Sequence, residues 1–280
     1  TAIVTPMNAD GSINYDEFGK LIEFQIANGA DALVVCGTTG EASTMPDEEH
    51  LECIGYAVKK VAHRVPVIAG TGANDTAHGI RLSAAAEKLG VDALLQVTPY
   101  YNKASQRGLV KHFTAIANSV KIPIILYNVP SRTGCNISID TYKELAKVPN
   151  IVATKEASGN MEQIEKCLRL CPDMVISGDD ALTVPIMAMG GLGVISVASN
   201  VCPKYVSDMT RFALEGNYEK ARQMQLAMLP LVSALFCEVN PIPIKKAMQL
   251  KGYCSSKLRL PLTEMTKENA RKLANILEDY

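Results

Sequence analysis

Eight short runs rich in β-branched residues recur along the chain, and their spacing constrains the fold more than any other feature. They are AIVT from Ala2, ALVV from Ala32, VPVIAG from Val65, ALLQVT from Ala93, IPIILY from Ile122, IVATK from Ile151, MVISG from Met174 and GVISV from Gly193. Between them lie apolar residues at helical spacing, such as Leu109, Val110, Phe113, Ile116, Ala117 and Val120, so strand and helix alternate every 20 to 33 residues, roughly. Strands that are apolar throughout must be covered on both faces, which implies a parallel sheet flanked by helices. Eight such units predict a closed (β/α)8 barrel, and 280 residues suit one. An open doubly wound sheet fits less well. No G-x-G-x-x-G follows the first run, and GTGAND from Gly70 reads more simply as a turn.

Beyond the eighth run the pattern is helical, with Ala221, Met224, Met228, Leu231 and Leu235 forming one apolar stripe interrupted at Pro230. The expected organisation is a catalytic barrel over 1–200 and a helical C-terminal extension over 201–280. The methionines of that stripe read as packing rather than as a cofactor box.

Lys+Arg 28 against Asp+Glu 29 leaves a net charge of −1, which gives no electrostatic reason to bind nucleic acid or an anionic membrane. No apolar run reaches the roughly 18 to 20 residues of a membrane span, and no basic-then-apolar signal opens the chain. A soluble, cytoplasmic protein is expected. The chain opens directly on a strand pattern with no initiator methionine, so a few residues are expected to precede Thr1. The eight cysteines are scattered without a Cys-x-x-Cys, which fits reduced thiols; Cys167 and Cys171, four apart on one helical face, read as packing rather than a metal site.

Barrel enzymes place their chemistry at the C-terminal ends of the strands. The second run leads into CGTTGE with Thr38 and Thr39, the fourth into TPYYN with Tyr100 and Tyr101, the fifth into YNVPSRTG with Tyr127 and Arg132, and the sixth ends on Lys155. Aligning IILY with VATK puts Tyr127 and Lys155 at matching heights on neighbouring strands. An amine beside a phenol suits attack on a ketone, the amine forming a Schiff base and the hydroxyl moving protons. At an ordinary pKa of roughly 10.4, only about one lysine amine in 2,500 is neutral at pH 7, so nucleophilic lysines are those that burial keeps from charging.

The plainer reading of Lys155 is an ion pair with Glu156, but adjacent residues on a strand point to opposite faces. Tyr127 alone reads equally well as an amphipathic core residue. GTTGE either caps the next helix or holds a carboxylate with two hydroxyls and backbone N–H groups. Arg132, in a mouth loop after Pro130, is either a surface residue or a bidentate carboxylate clamp. The seventh and eighth runs end in GDD and ASN rather than a glycine-rich turn, and GGLG from Gly190 lies at the wrong end of its strand, which disfavours a phosphorylated substrate. None of the four histidines lies at a strand end, which disfavours metal-dependent aldol chemistry.

GTTGE, PYYNK, YNVPSRTG and VATKEASG, in this order and spacing, together with NPIPIK from Asn240 and LRLPL from Leu258, resemble the dihydrodipicolinate synthase family over essentially the whole chain. The resemblance implies a class I aldolase-like lyase that condenses pyruvate with aspartate 4-semialdehyde, giving 4-hydroxy-tetrahydrodipicolinate on the route to diaminopimelate and lysine, with no cofactor or metal. It implies that Lys155 forms the imine, that Thr38, Tyr127 and Tyr101 relay protons, and that Thr39, Arg132, Gly178 and Ile195 bind substrate. It further implies a tight dimer in which Tyr101 enters the neighbouring subunit's site, with two dimers pairing into a tetramer. His50, Asn74 and Tyr100 match the family's lysine-sensing pattern, but His78 stands where that pattern has glutamate and Asp47 replaces a histidine, which implies weak or absent feedback. The related alternative is N-acetylneuraminate lyase or a keto-deoxy sugar-acid aldolase, and the alternative of another class is a barrel that binds a keto acid without turning it over.

Overall fold

Six of the eight runs are strands of one sheet in the computed structural model, which describes residues 1–280. They are β1 (Leu33–Val35), β2 (Val67–Gly70), β3 (Ala93–Val97), β4 (Ile124–Asn128), β5 (Ile151–Glu156) and β6 (Val175–Ser177), and they lie side by side in sequence order. The chain forms two compact units, Ile68–Ile195 and Thr1–Val67 with Ser196–Tyr280.

In the unit Ile68–Ile195 the pairing from β2 to β6 is parallel throughout, with a register irregularity between Ile124 and Ile125. Every residue of β4 is buried, as expected of a strand covered on both faces. Side chains at the strand-to-helix turns start the helices. Asp75 accepts from the Ala77 and His78 N–H groups ahead of Thr76–Lys88, Ser105 from Gly108 ahead of Gln106–Ala117, and Asn160 from Gln163 ahead of Met161–Leu170. Each cap satisfies donors that the first helical turn leaves orphaned, and so fixes the turn that follows the strand end. Val194 of the eighth run makes a single parallel bridge to Ser177.

In the other unit Ala2 bridges Val34, the Ala2 N–H donates to the Ser196 carbonyl at 2.9 Å, and Leu33 donates to Pro66 at 3.0 Å. The first and eighth runs, expected as full strands, are therefore only bridge-length. Asn200 is the reason at the first. Its side chain accepts from the Val4 N–H at 2.9 Å and donates to the Ala2 carbonyl at 2.8 Å, taking groups that a longer ladder would use, and Pro6 ends the run without a donor. The eighth run turns at once into the 3₁₀ segment Ala198–Asn200.

The succession of parallel segments is that of a (β/α)8 barrel, and helices Pro203–Leu214, Tyr218–Leu235, Ile242–Leu250 and Lys267–Leu277 follow it. Tyr218–Leu235 continues through Pro230 rather than breaking there, and it buries Ala221, Met228, Leu231 and Leu235 of the expected stripe. No helix is long and apolar enough to cross a membrane.

Candidate active site

The register of β4 and β5 sets the centre of the site. Tyr127 pairs with Lys155 and Asn128 with Glu156, so the alternation of a strand sends the first pair to one face and the second to the other. Lys155 Nζ lies 4.3 Å from the centroid of the Tyr127 ring. The two residues are 6% and 7% exposed. The lysine stem runs against Gly178, where a Cβ would stand 3.0 Å from Lys155 Cγ, 3.1 Å from Cε and 2.8 Å from Ala157 Cβ. The Gly178 N–H donates to the Glu156 carbonyl at 2.8 Å, which holds this close approach in place. Ile195 is buried, and its N–H donates to the Ser177 carbonyl at 2.9 Å.

Glu156 is no ion partner of Lys155. Its fully buried carboxylate accepts from Asn128 Nδ2 at 3.1 Å, from the Tyr142 hydroxyl at 2.8 Å and from the Ser158 N–H at 2.9 Å. Burial, reinforced by the Glu156 charge, raises the Tyr142 phenol well above its ordinary pKa, so Tyr142 remains a donor.

Arg132 is exposed on the short helix Pro130–Thr133 that follows β4 and ends at Gly134, φ +67°. This loop is tied down on both sides of the arginine. The Thr133 hydroxyl accepts from Thr98 at 3.0 Å, and Asn128 Oδ1 accepts from the Ile137 N–H at 3.1 Å. After β3, Tyr101 is 89% exposed with φ +74°, a left-handed conformation uncommon outside glycine. Tyr100 is also exposed, and its carbonyl accepts from Asn74 Nδ2 at 3.2 Å. His78 lies in the first turn of Thr76–Lys88. Cys167 and Cys171 are both buried free thiols, and burial pushes Cys167 up to about 12.

In the unit Thr1–Val67 with Ser196–Tyr280, the GTTGE loop follows β1. Thr38 is exposed, whereas Thr39 is buried and its hydroxyl accepts from Asn240 Nδ2 at 3.0 Å. Glu41, at φ +59°, turns its carboxylate into the interior, where it accepts from Lys245 Nζ at 2.6 Å and from the Arg259 N–H at 3.1 Å. Lys245 also donates to the Thr5 carbonyl at 3.0 Å, and Thr5 Oγ1 donates to the Gly40 carbonyl at 2.8 Å. Burial pushes the Lys245 ammonium below its ordinary pKa, opposed by Glu41. The loop bearing both threonines is thus bolted to helix Ile242–Leu250 and its approach. His50 is buried on helix Asp47–Val61.

The reading of strand ends singled out Thr38, Thr39, Tyr100, Tyr101, Tyr127, Arg132 and Lys155 without connecting them to the residues that hold their loops and strands. Asn240 and Lys245 stand 201 and 204 residues from the partners they hold, too far apart for any local pattern to connect them. Asn128 and Glu156 had a signal, since each directly follows a residue that was singled out.

A parallel barrel that sets a buried lysine beside a tyrosine at the ends of neighbouring strands has the equipment of a class I aldolase, an enzyme that works through a lysine imine. The chain belongs to the dihydrodipicolinate synthetase family, whose model matches residues 1–280. It is 54% identical over 281 residues to the 4-hydroxy-tetrahydrodipicolinate synthase of Acetivibrio thermocellus, covering 100% of this chain and 95% of that one. The crystal structure of dihydrodipicolinate synthase from Aquifex aeolicus superposes with a TM-score of 0.98 at 48% identity, covering 100% of this chain and 96% of the other. The Acinetobacter baumannii synthase, crystallised with pyruvate, gives 0.97 at 44% identity, covering 99% and 96%.

Proposed function

We propose that this protein is a lyase that condenses pyruvate with aspartate 4-semialdehyde to give 4-hydroxy-tetrahydrodipicolinate, in the diaminopimelate and lysine pathway. The observation that carries this reading is the Tyr127–Lys155 pair, buried with the amine 4.3 Å from the ring centre, in a chain of this family. The amine of Lys155 adds to the keto carbon of pyruvate, and loss of the former keto oxygen as water leaves an imine. Tyr127 takes up protons that the lysine nitrogen loses and supplies those that the departing oxygen gains. Loss of a methyl proton gives the enamine, whose carbon attacks the aldehyde of the second substrate. The amino group of that substrate then displaces Lys155 and closes the ring.

Thr38 and Tyr101 are assigned to the proton relay with Tyr127. Thr39, Gly178 and Ile195 are assigned to the pyruvate end of the site, and Arg132 to the semialdehyde carboxylate, which its planar fork suits. Tyr101 acts in the neighbouring subunit of a tight dimer, and two dimers form the tetramer. An aromatic side chain 89% exposed on its own chain, on a backbone at φ +74°, supports a role away from that chain. Eight cysteines, none of them in a disulfide, support a reducing compartment, the cytoplasm.

The test is a coupled assay with both substrates, joined to borohydride trapping with pyruvate. One reduced adduct per chain at Lys155 is expected. Labelling elsewhere, or none, would overturn the reading.

A further inference from the structure

Glu156 stands behind the reacting pair, and no step of the proposed chemistry uses it. A buried carboxylate is costly unless its lone pairs all find donors, and the donors here are neutral: Asn128, Tyr142 and the Ser158 N–H. They come from three places, namely β4, the helix Ile139–Leu145 and the turn after β5. The donor across the strand pair is Asn128, the residue next to Tyr127. The contact between Asn128 and Glu156 on one face therefore lies one residue along from the contact between Tyr127 and Lys155 on the other. Asn128 is anchored in turn. Its Oδ1 accepts from the Ile137 N–H at 3.1 Å, and its Nδ2 donates to Asn136 Oδ1 at 2.8 Å. Asn136 Nδ2 donates to Gln163 Oε1 at 2.8 Å, which carries the chain of bonds to helix Met161–Leu170.

We propose that Glu156 is a positioning residue for the condensation: through Asn128 it locks the ends of β4 and β5, so that Tyr127 and Lys155 keep the separation at which the imine forms. The inference rests on the assignment of Lys155 and Tyr127 made above. A carboxylate suits the task because both oxygens accept. A glutamine would offer one acceptor and turn an NH2 towards Asn128 Nδ2 and, depending on its orientation, towards the Tyr142 hydroxyl or the Ser158 N–H, so a link would fail even though the shape is kept. A misplacement of about 1 Å in reacting groups costs on the order of 100-fold in rate.

The experiment is rapid-quench borohydride trapping of pyruvate on the full chain, reading the rate at saturating pyruvate and the half-saturating concentration, alongside thermal melting. Glu156→Gln is expected to slow saturated trapping by about 30- to 100-fold while half-saturation moves less than about threefold. Ile164→Val, a change of fully buried core on the neighbouring helix, should lower Tm and leave the rate alone. Should Glu156→Gln not fold, Asn128→Ala carries the same expectation, because it cuts the cross-strand link and leaves the carboxylate its other two donors. A folded Glu156→Gln or Asn128→Ala chain that traps pyruvate at the wild-type rate would overturn the proposal. Failure of the wild-type chain to trap at Lys155 would instead overturn the proposed function.

Discussion

Gly178→Ala tests how tightly the lysine is confined. The added carbon would lie 2.8 Å from Ala157 Cβ, 3.0 Å from Lys155 Cγ and 3.1 Å from Lys155 Cε. Carbon atoms in contact prefer roughly 3.5 to 4.0 Å, so something must yield by about 0.5 to 1 Å. Ala157 is poorly placed to do so, since its N–H donates to the Asn128 carbonyl at 2.9 Å and a retreat would drag the end of β5 with it. The lysine stem, with its several rotatable bonds, is the softer side, so the amine leaves its place over the Tyr127 ring. Overpacking of this kind costs about 1 to 3 kcal/mol, which lowers Tm without unfolding the chain. Displacing the nucleophile by about 1 Å lowers the rate on the order of 100-fold. Borohydride trapping in single turnover, read beside a thermal melt, separates the two effects. Ala157→Gly added to Gly178→Ala removes the shortest contact and should return part of the rate. A folded Gly178→Ala chain that traps pyruvate as fast as wild type would refute the reasoning.

Arg132→Ala should still form the pyruvate imine but raise the apparent KM for the semialdehyde and lower turnover, since one lost charge-assisted clamp is worth roughly 1.5 to 3 kcal/mol, or about 10- to 150-fold; an equal loss of pyruvate trapping would contradict the assignment. Mixing inactive Tyr101→Phe and Tyr127→Phe chains should restore activity in hybrid dimers, where one site receives both substitutions and the other neither, and no rescue despite proven chain exchange would place Tyr101 in its own barrel. His112 is held below its ordinary pKa of 6.5 by burial, opposed by Asp75, with Nδ1 2.9 Å from the Thr76 hydroxyl. The unfolded chain then binds a proton that the folded chain refuses, so this contribution to stability is full above about pH 6.5 and is lost as pH falls through that value towards the native pKa; Tm should drop between about pH 7.5 and 5, and drop less in His112→Gln. Free lysine should not half-inhibit the coupled assay well below about 1 mM, because His78 offers no carboxylate to an incoming ammonium, and His78→Glu should gain inhibition.

What the sequence disclosed follows the range over which each constraint acts. Alternating strands and helices are local patterns repeated eight times, so the barrel was legible, and the period of two within IILYN and VATKE was enough to place Tyr127 opposite Lys155. The length of the first strand was not legible, because Asn200 competes for the backbone of Ala2 and Val4 from 198 and 196 residues away. The burial of Glu41 was equally hidden. A glutamate after TTG reads as solvent-exposed until Lys245, 204 residues on, is seen to meet it.

The two central strands nevertheless carry a local sign of how the site is built. Each ends in two consecutive polar residues, Tyr127–Asn128 after an apolar run and Lys155–Glu156 after Thr154. On a strand covered on both faces, such a pair cannot send both side chains to water. Alternation sends one to each side, and each buried group then needs a partner on its own side. Here the residues on one side meet each other as ring and amine, and those on the other meet as amide and carboxylate. The first contact is the pair proposed to react, whereas the second satisfies both groups and links the strands by hydrogen bonds. The same two-residue pattern thus supplies the proposed reacting pair and the brace proposed behind it.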